Sequence, residues 1–104
     1  MKRLFPFIAS ILLALSVAPK SNAQEAPDAL FVIYYTLIQN ADALSERQQD
    51  RPALNNYLKA RDGLENLKKA YPGWNPKIIS FRLDYVNDKI GPLLAKYPPS
   101  KSEE

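Results

Sequence analysis

Asp84 and Asp88 stand one helical turn apart, so their carboxylates share a face and could divide the roles of acid and base, or bind a cation. No further oxygen ligand stands at a suitable spacing, and the ordinary reading of such a pair is a solvated acidic face. The chain contains neither histidine nor cysteine. That removes the imidazole base, the thiolate nucleophile and the usual zinc sites on which most hydrolase templates depend. Its three glycines, Gly63, Gly73 and Gly91, are too scattered to form a phosphate-cradling loop. The expectation is a protein that is not an enzyme and needs no cofactor or metal.

The aromatic residues are the other candidates for a site. Six tyrosines, four phenylalanines and one tryptophan could line a pocket, but most of them fall on the apolar seams of helices. Tyr57, Trp74 and Phe81 are expected in the core, whereas Tyr35 and Tyr85 stand between core edge and contact surface. Arg82 interrupts the apolar side of its helix; its stem should lie flat on that side with the charged end in water.

The N-terminus places these residues outside the cytoplasm. Lys2 and Arg3 precede an apolar run from Phe5 to Val17, and Ser21 and Ala23 offer the small residues that signal peptidase favours. Residues 1–23 therefore read as a secretory signal peptide, with the mature chain starting at Gln24. The apolar run falls short of the roughly 18 to 20 residues that span a bilayer. Loss of Lys2, Arg3 and Lys20 reduces 14 basic residues to 11, level with the 11 acidic ones. A neutral chain of interspersed sign lacks the basic face that phosphate neutralisation needs, so nucleic acid is not the expected partner. Without cysteine there is no lipid-modified anchor and no disulfide. The product is expected to be periplasmic or secreted, held together by burial alone near the size where one core supplies only about 3 to 5 kcal/mol.

Three helices are expected to position the aromatic residues, giving an all-α fold over residues 24–97. Leu30, Tyr34, Leu37, Ala41 and Leu44 recur at steps of four and three, predicting a first helix over about 28–48. Asp50 is placed to cap a second helix over about 51–70, with Pro52 in its first turn. That helix buries Ala53 or Leu54, Tyr57, Ala60, Leu64, Leu67 and Tyr71, and exposes Glu65 and Lys69 as an i,i+4 pair. Gly63 either weakens it or permits close approach of a neighbour. Tyr71-Pro72-Gly73-Trp74-Asn75-Pro76 punctuates the chain, with Asn75 as the cap of a third helix and Trp74 stapled to Ile79. The third helix, over about 75–97, carries the heptad seam Ile79, Leu83, Val86, Ile90, Leu93 and Tyr97. Gly91-Pro92 predicts a kink or restart there. Residues 98–104 are expected to form a flexible tail.

Ala53, Tyr57 and Ala60, set against Leu37, Ala41 and Leu44, give the small, aromatic, small spacing by which two antiparallel helices interlock. Over residues 34–60 this resembles a tetratricopeptide repeat, and the whole stretch on through Tyr71-Pro72-Gly73-Trp74-Asn75-Pro76 and Ile78-Ile79-Ser80-Phe81-Arg82-Leu83 resembles an exported bacterial variety of repeat proteins. Asn40 and Glu65 depart from that pattern, standing where an aliphatic residue and a terminal proline are usual, and no second copy of the repeat is present. The resemblance implies a protein-binding scaffold whose contact surface comes from the first helix, at Tyr35, Ile38, Asp42 and Ser45. The expected function is contact with another protein. The alternative is self-association as a structural protein of the cell envelope, with the third-helix seam pairing to its own copy.

Overall fold

The computed structural model describes residues 26–99, and within them the chain is all-α: α1 spans Pro27–Glu46, α2 Asp50–Ala70 and α3 Pro76–Lys96. The signal peptide assigned to residues 1–23 and the tail from residue 100 onward lie outside the described residues.

α1 starts at the expected place, with extended Ala26 before it, Pro27 in the first turn and Asp28 near the positive end of the helix dipole. It ends two residues earlier than its apolar spacing suggests. Gln48 takes a left-handed conformation at φ 63°, and its N–H reaches the Ser45 carbonyl at 2.9 Å while the Gln49 N–H reaches that of Leu44 at 2.9 Å. This is a Schellman closure, with glutamine in a position where glycine would avoid the Cβ penalty.

Asp50 does not cap α2. It is the first helical residue, Gln49 occupies the cap position without a side-chain bond, and the Asp50 carboxylate turns instead to the far end of α3. There it accepts from Lys96 Nζ at 3.1 Å and from the Tyr97 hydroxyl at 3.3 Å. The start of α2 is thus tied to the end of α3, as antiparallel packing requires. Lys96 is held more firmly protonated than an isolated lysine, first by the hydrogen bond to Asp50 and then by nearby negative charge.

α2 is the central element. Ala53, Leu54, Tyr57, Ala60, Gly63, Leu64 and Leu67 are buried along it, closing against Ile38 and Ala41 of α1 and Ile79, Leu83, Val86 and Ile90 of α3. Ala53 and Ala60 are completely covered and Tyr57 is 1% exposed, so the ring sits enclosed near two alanines that let backbones approach. Gly63 serves the same end, because the ring of Tyr34 from α1 occupies the space a Cβ would take. Glu65 and Lys69 form no ion pair with each other; among the described residues the ion pairs are Arg61 with Asp62 and Lys96 with Asp50.

Between α2 and α3, Asn75 adopts a left-handed conformation at φ 38° without a side-chain cap bond, and its carbonyl accepts from Ile79 N–H at 3.1 Å. Trp74 carries its ring to Phe31 of α1, the centroids 5.7 Å apart. α3 runs unbroken through Pro92 to Lys96, so the expected restart does not occur. Pro92 leaves the Asp88 carbonyl without a backbone donor, and Asp88, Gly91 and Pro92 are all exposed, where water can take the donor's place. The α3 seam is used internally: Ile79, Leu83, Val86 and Ile90 are buried and Leu93 and Tyr97 pack against the same core.

Candidate functional site

α1 and α3 both pack on α2, and they meet each other through long side chains rather than close backbone approach. The face between them carries most of the unusual chemistry of the molecule. Midway along it, Asp42 of α1 accepts hydrogen bonds from two phenols, Tyr57 of α2 at Oδ1 and Tyr85 of α3 at Oδ2, the latter at 2.7 Å. One carboxylate therefore ties all three helices together. Its acceptor oxygens are both engaged, and the charge-assisted bonds are of the stronger kind.

These contacts move the phenols. Burial pushes the Tyr85 hydroxyl up from 10.0 to about 12, helped by its bond to Asp42 and that residue's negative charge, and opposed by the cation of Arg82. Tyr57 is raised further, again by burial first and by Asp42 second. A phenol whose folded value is raised contributes stability that is complete below pH 10.0, its ordinary value, and is lost as pH climbs through about 12. Alkaline titration followed by phenolate absorbance should show two of the six tyrosines ionising late, together with loss of helical circular dichroism. Asp42→Asn should bring the midpoint of that loss to lower pH; coincident titration of all six tyrosines near their ordinary value would contradict the arrangement.

Toward the N-terminal ends of α1 and α3 the face becomes aromatic and cationic. Phe31 and Tyr35 stack at 5.9 Å with ring planes 17° apart, and the Arg82 guanidinium lies 4.7 Å from the Tyr35 centroid. The same guanidinium is 5.3 Å from the ring of Phe81 and 5.9 Å from that of Tyr85, while Lys89 Nζ stands 5.3 Å from Tyr85. The charged end of half-buried Arg82 thus lies beside three rings, at distances where a cation and an aromatic quadrupole attract. Phe81 is not a core residue: it is 62% exposed, and Ile78 of α3 and Val32 of α1 are exposed as well. The reason is angular, since Phe81 lies on the opposite side of α3 from the seam that faces α2.

The four residues expected to form the contact surface differ in how accessible they are. Tyr35 is half-buried on the face just described, but Ile38 is 1% exposed and belongs to the core. Asp42 is occupied by two phenols, and half-buried Ser45 lies in the last turn of α1. The residues that sequence reasoning leaves out of the candidate contact surface are Phe31, Phe81 and Arg82. The spacing of Ile78, Arg82, Tyr85 and Lys89, which share a helical edge, is the signal that could have found them.

Elsewhere, a groove of about 290 Å³ runs along Arg51, Leu54, Asn55, Leu58, Tyr97 and Pro98. A second, of about 610 Å³, is lined by Glu65, Lys68, Lys69, Pro72 and Leu83. Asp84 and Asp88 are exposed on α3, and among the described residues no third histidine, cysteine, aspartate or glutamate joins them in a metal-sized group. No described helix is long and apolar enough to cross a membrane. No protein-family model matches the chain, and neither the curated proteins nor the solved structures compared with it give a match.

Proposed function

We propose that this chain is an exported, non-catalytic module that contacts another protein, built on a helical hairpin of tetratricopeptide type with a third helix packed beside it. The observation that carries this reading is the α1/α3 face, where aromatic rings, a guanidinium and exposed apolar side chains lie together on helices fixed by a common core. Arginine and aromatic residues supply a disproportionate share of binding energy at protein interfaces, the rings because they bury large area with few torsions to fix and arginine because its planar fork makes several hydrogen bonds at once. Self-assembly through the α3 seam has less to support it, since those side chains are already turned against α2.

The test is capture of partners from the cell envelope by the chain expressed with its own leader, compared with a Val32→Ser, Phe81→Ser double variant. Val32 is 60% and Phe81 62% exposed, so these changes spare the core. A specific polypeptide recovered by the parent and lost from the variant supports the proposal. Recovery of background alone by both removes it.

A further inference from the structure

We infer that the α1/α3 face takes a polypeptide segment presenting a carboxylate beside an apolar or aromatic side chain, with Arg82 as the anion-binding residue. This deepens the protein-contact reading and rests on it. Arg82 makes three ring contacts but closes no ion pair and no hydrogen bond within the described residues. A guanidinium has five N–H donors in a planar fork. When its charge is steadied by rings and its donors are left unused by the fold, the fork is preorganised for a planar, two-oxygen acceptor.

Asp42, the acid on this face, accepts from Tyr57 and Tyr85 and closes no ion pair with Arg82. Among the described residues neither Arg82 nor Lys89 closes an ion pair, and Lys89, which also rests on Tyr85, adds a second positive charge to the same edge of α3. Around the fork, half-buried Phe31 and Trp74 and exposed Ile78 and Phe81 supply the apolar surface that a neighbouring side chain of the ligand would cover.

An anionic bilayer would offer oxygen acceptors too, but Asp84 and Asp88 are exposed on the outward side of α3, next to Phe81 along the helix surface. A flat negative surface approaching Phe81 would meet both acids. A narrow segment can place one carboxylate on Arg82 and avoid them, which is why the charge pattern favours a polypeptide.

The experiment is selection of a phage library of random short peptides on the full chain, followed by titration of synthetic copies of the enriched sequences. Enrichment of Asp or Glu adjacent to Phe, Trp, Leu or Ile is expected. Arg82→Gln should raise the Kd of such a peptide roughly tenfold or more, and Arg82→Lys, which keeps the charge and loses the fork, should also weaken it, with the helical circular dichroism of the parent retained in both at the temperature of the titration. Selection that is blind to acidic residues, selection that yields nothing, or equal affinity in Arg82→Gln overturns the inference. So does sedimentation with phosphatidylglycerol vesicles in place of peptide selection. If envelope capture persists while any of these occurs, the inference falls and the protein-contact reading stands.

Discussion

Replacing Tyr57 with alanine is expected to leave the chain largely unfolded at room temperature. The ring is 1% exposed and lies on the α2 stripe between Ala53 and Ala60, which are fully covered and too small to close over a vacated space. Removing a buried aromatic side chain costs about 3 to 5 kcal/mol, transfer and cavity together. A single small core without disulfides supplies only about that much in total. The loss of the hydroxyl adds to it, because Asp42 would then keep Tyr85 as its only phenolic donor. Tyr57→Phe separates the contributions: it retains the packing and should cost about 1.5 to 3 kcal/mol, that of a single hydrogen bond to a charged group. Circular dichroism with urea titration measures both. A Tyr57→Ala chain that melts within a few degrees of the parent would show that the ring is not central to the core.

Tyr57 also marks what could be read without a structure. The α2 stripe of Ala53, Tyr57, Ala60, Leu64 and Leu67 and the α3 seam of Ile79, Leu83, Val86 and Ile90 are visible in the sequence because burial imposes a 3.6-residue period on residue type, and all nine of these residues are buried. The three-helix, all-α architecture follows from those two stripes and the Pro-Gly punctuation between them. The polar contacts were hidden for a different reason. Asp42 meets Tyr85 across 43 positions of chain and Asp50 meets Lys96 across 46, and a carboxylate in sequence gives no sign of which distant donor it will find. Asp50 looked like a helix cap because local spacing suits that role, yet the neighbouring end of α3 provided better donors.

The candidate face was only partly legible for the same kind of reason. A tetratricopeptide-type assignment puts Tyr35 and Ile38 together on the contact side, but α1 buries a broad arc, and the side chains of α2 and α3 cover Ile38 while leaving Tyr35 at the edge. Hydrophobicity alone puts Phe81 in the core. Its angular position on α3 decided otherwise, and that position becomes meaningful only once the seam is known to face α2. Likewise the end of α1 turned on the backbone of Gln48, and glutamine carries no signal for a left-handed conformation.

Gly63 gives a test of packing whose sign can be reversed. A Cβ at this position would lie 2.2 Å from Tyr34 Cε1, 2.3 Å from Cδ1 and 2.5 Å from Cζ, far inside van der Waals contact. Two effects oppose each other when a side chain is added. The helix gains about 1 kcal/mol from glycine to alanine, while overpacking costs about 1 to 3 kcal/mol. Tyr34 is only half-buried, so its ring can swing outward and limit the damage from a single methyl. Gly63→Ala should therefore destabilise by about 1 kcal/mol, a fall in melting temperature of about 4 to 8 °C. Gly63→Val drives more atoms into the same ring, forfeits the helix-propensity gain and should cost about 3 kcal/mol, close to the whole stability of so small a core. In a Tyr34→Ala background the obstruction is gone, and Gly63→Ala should instead stabilise by about 0.5 to 1 kcal/mol. A double-mutant cycle read by thermal melting reports this reversal as coupling between the two positions. If Gly63→Ala has the same effect with and without the Tyr34 ring, α1 and α2 do not approach each other through this contact.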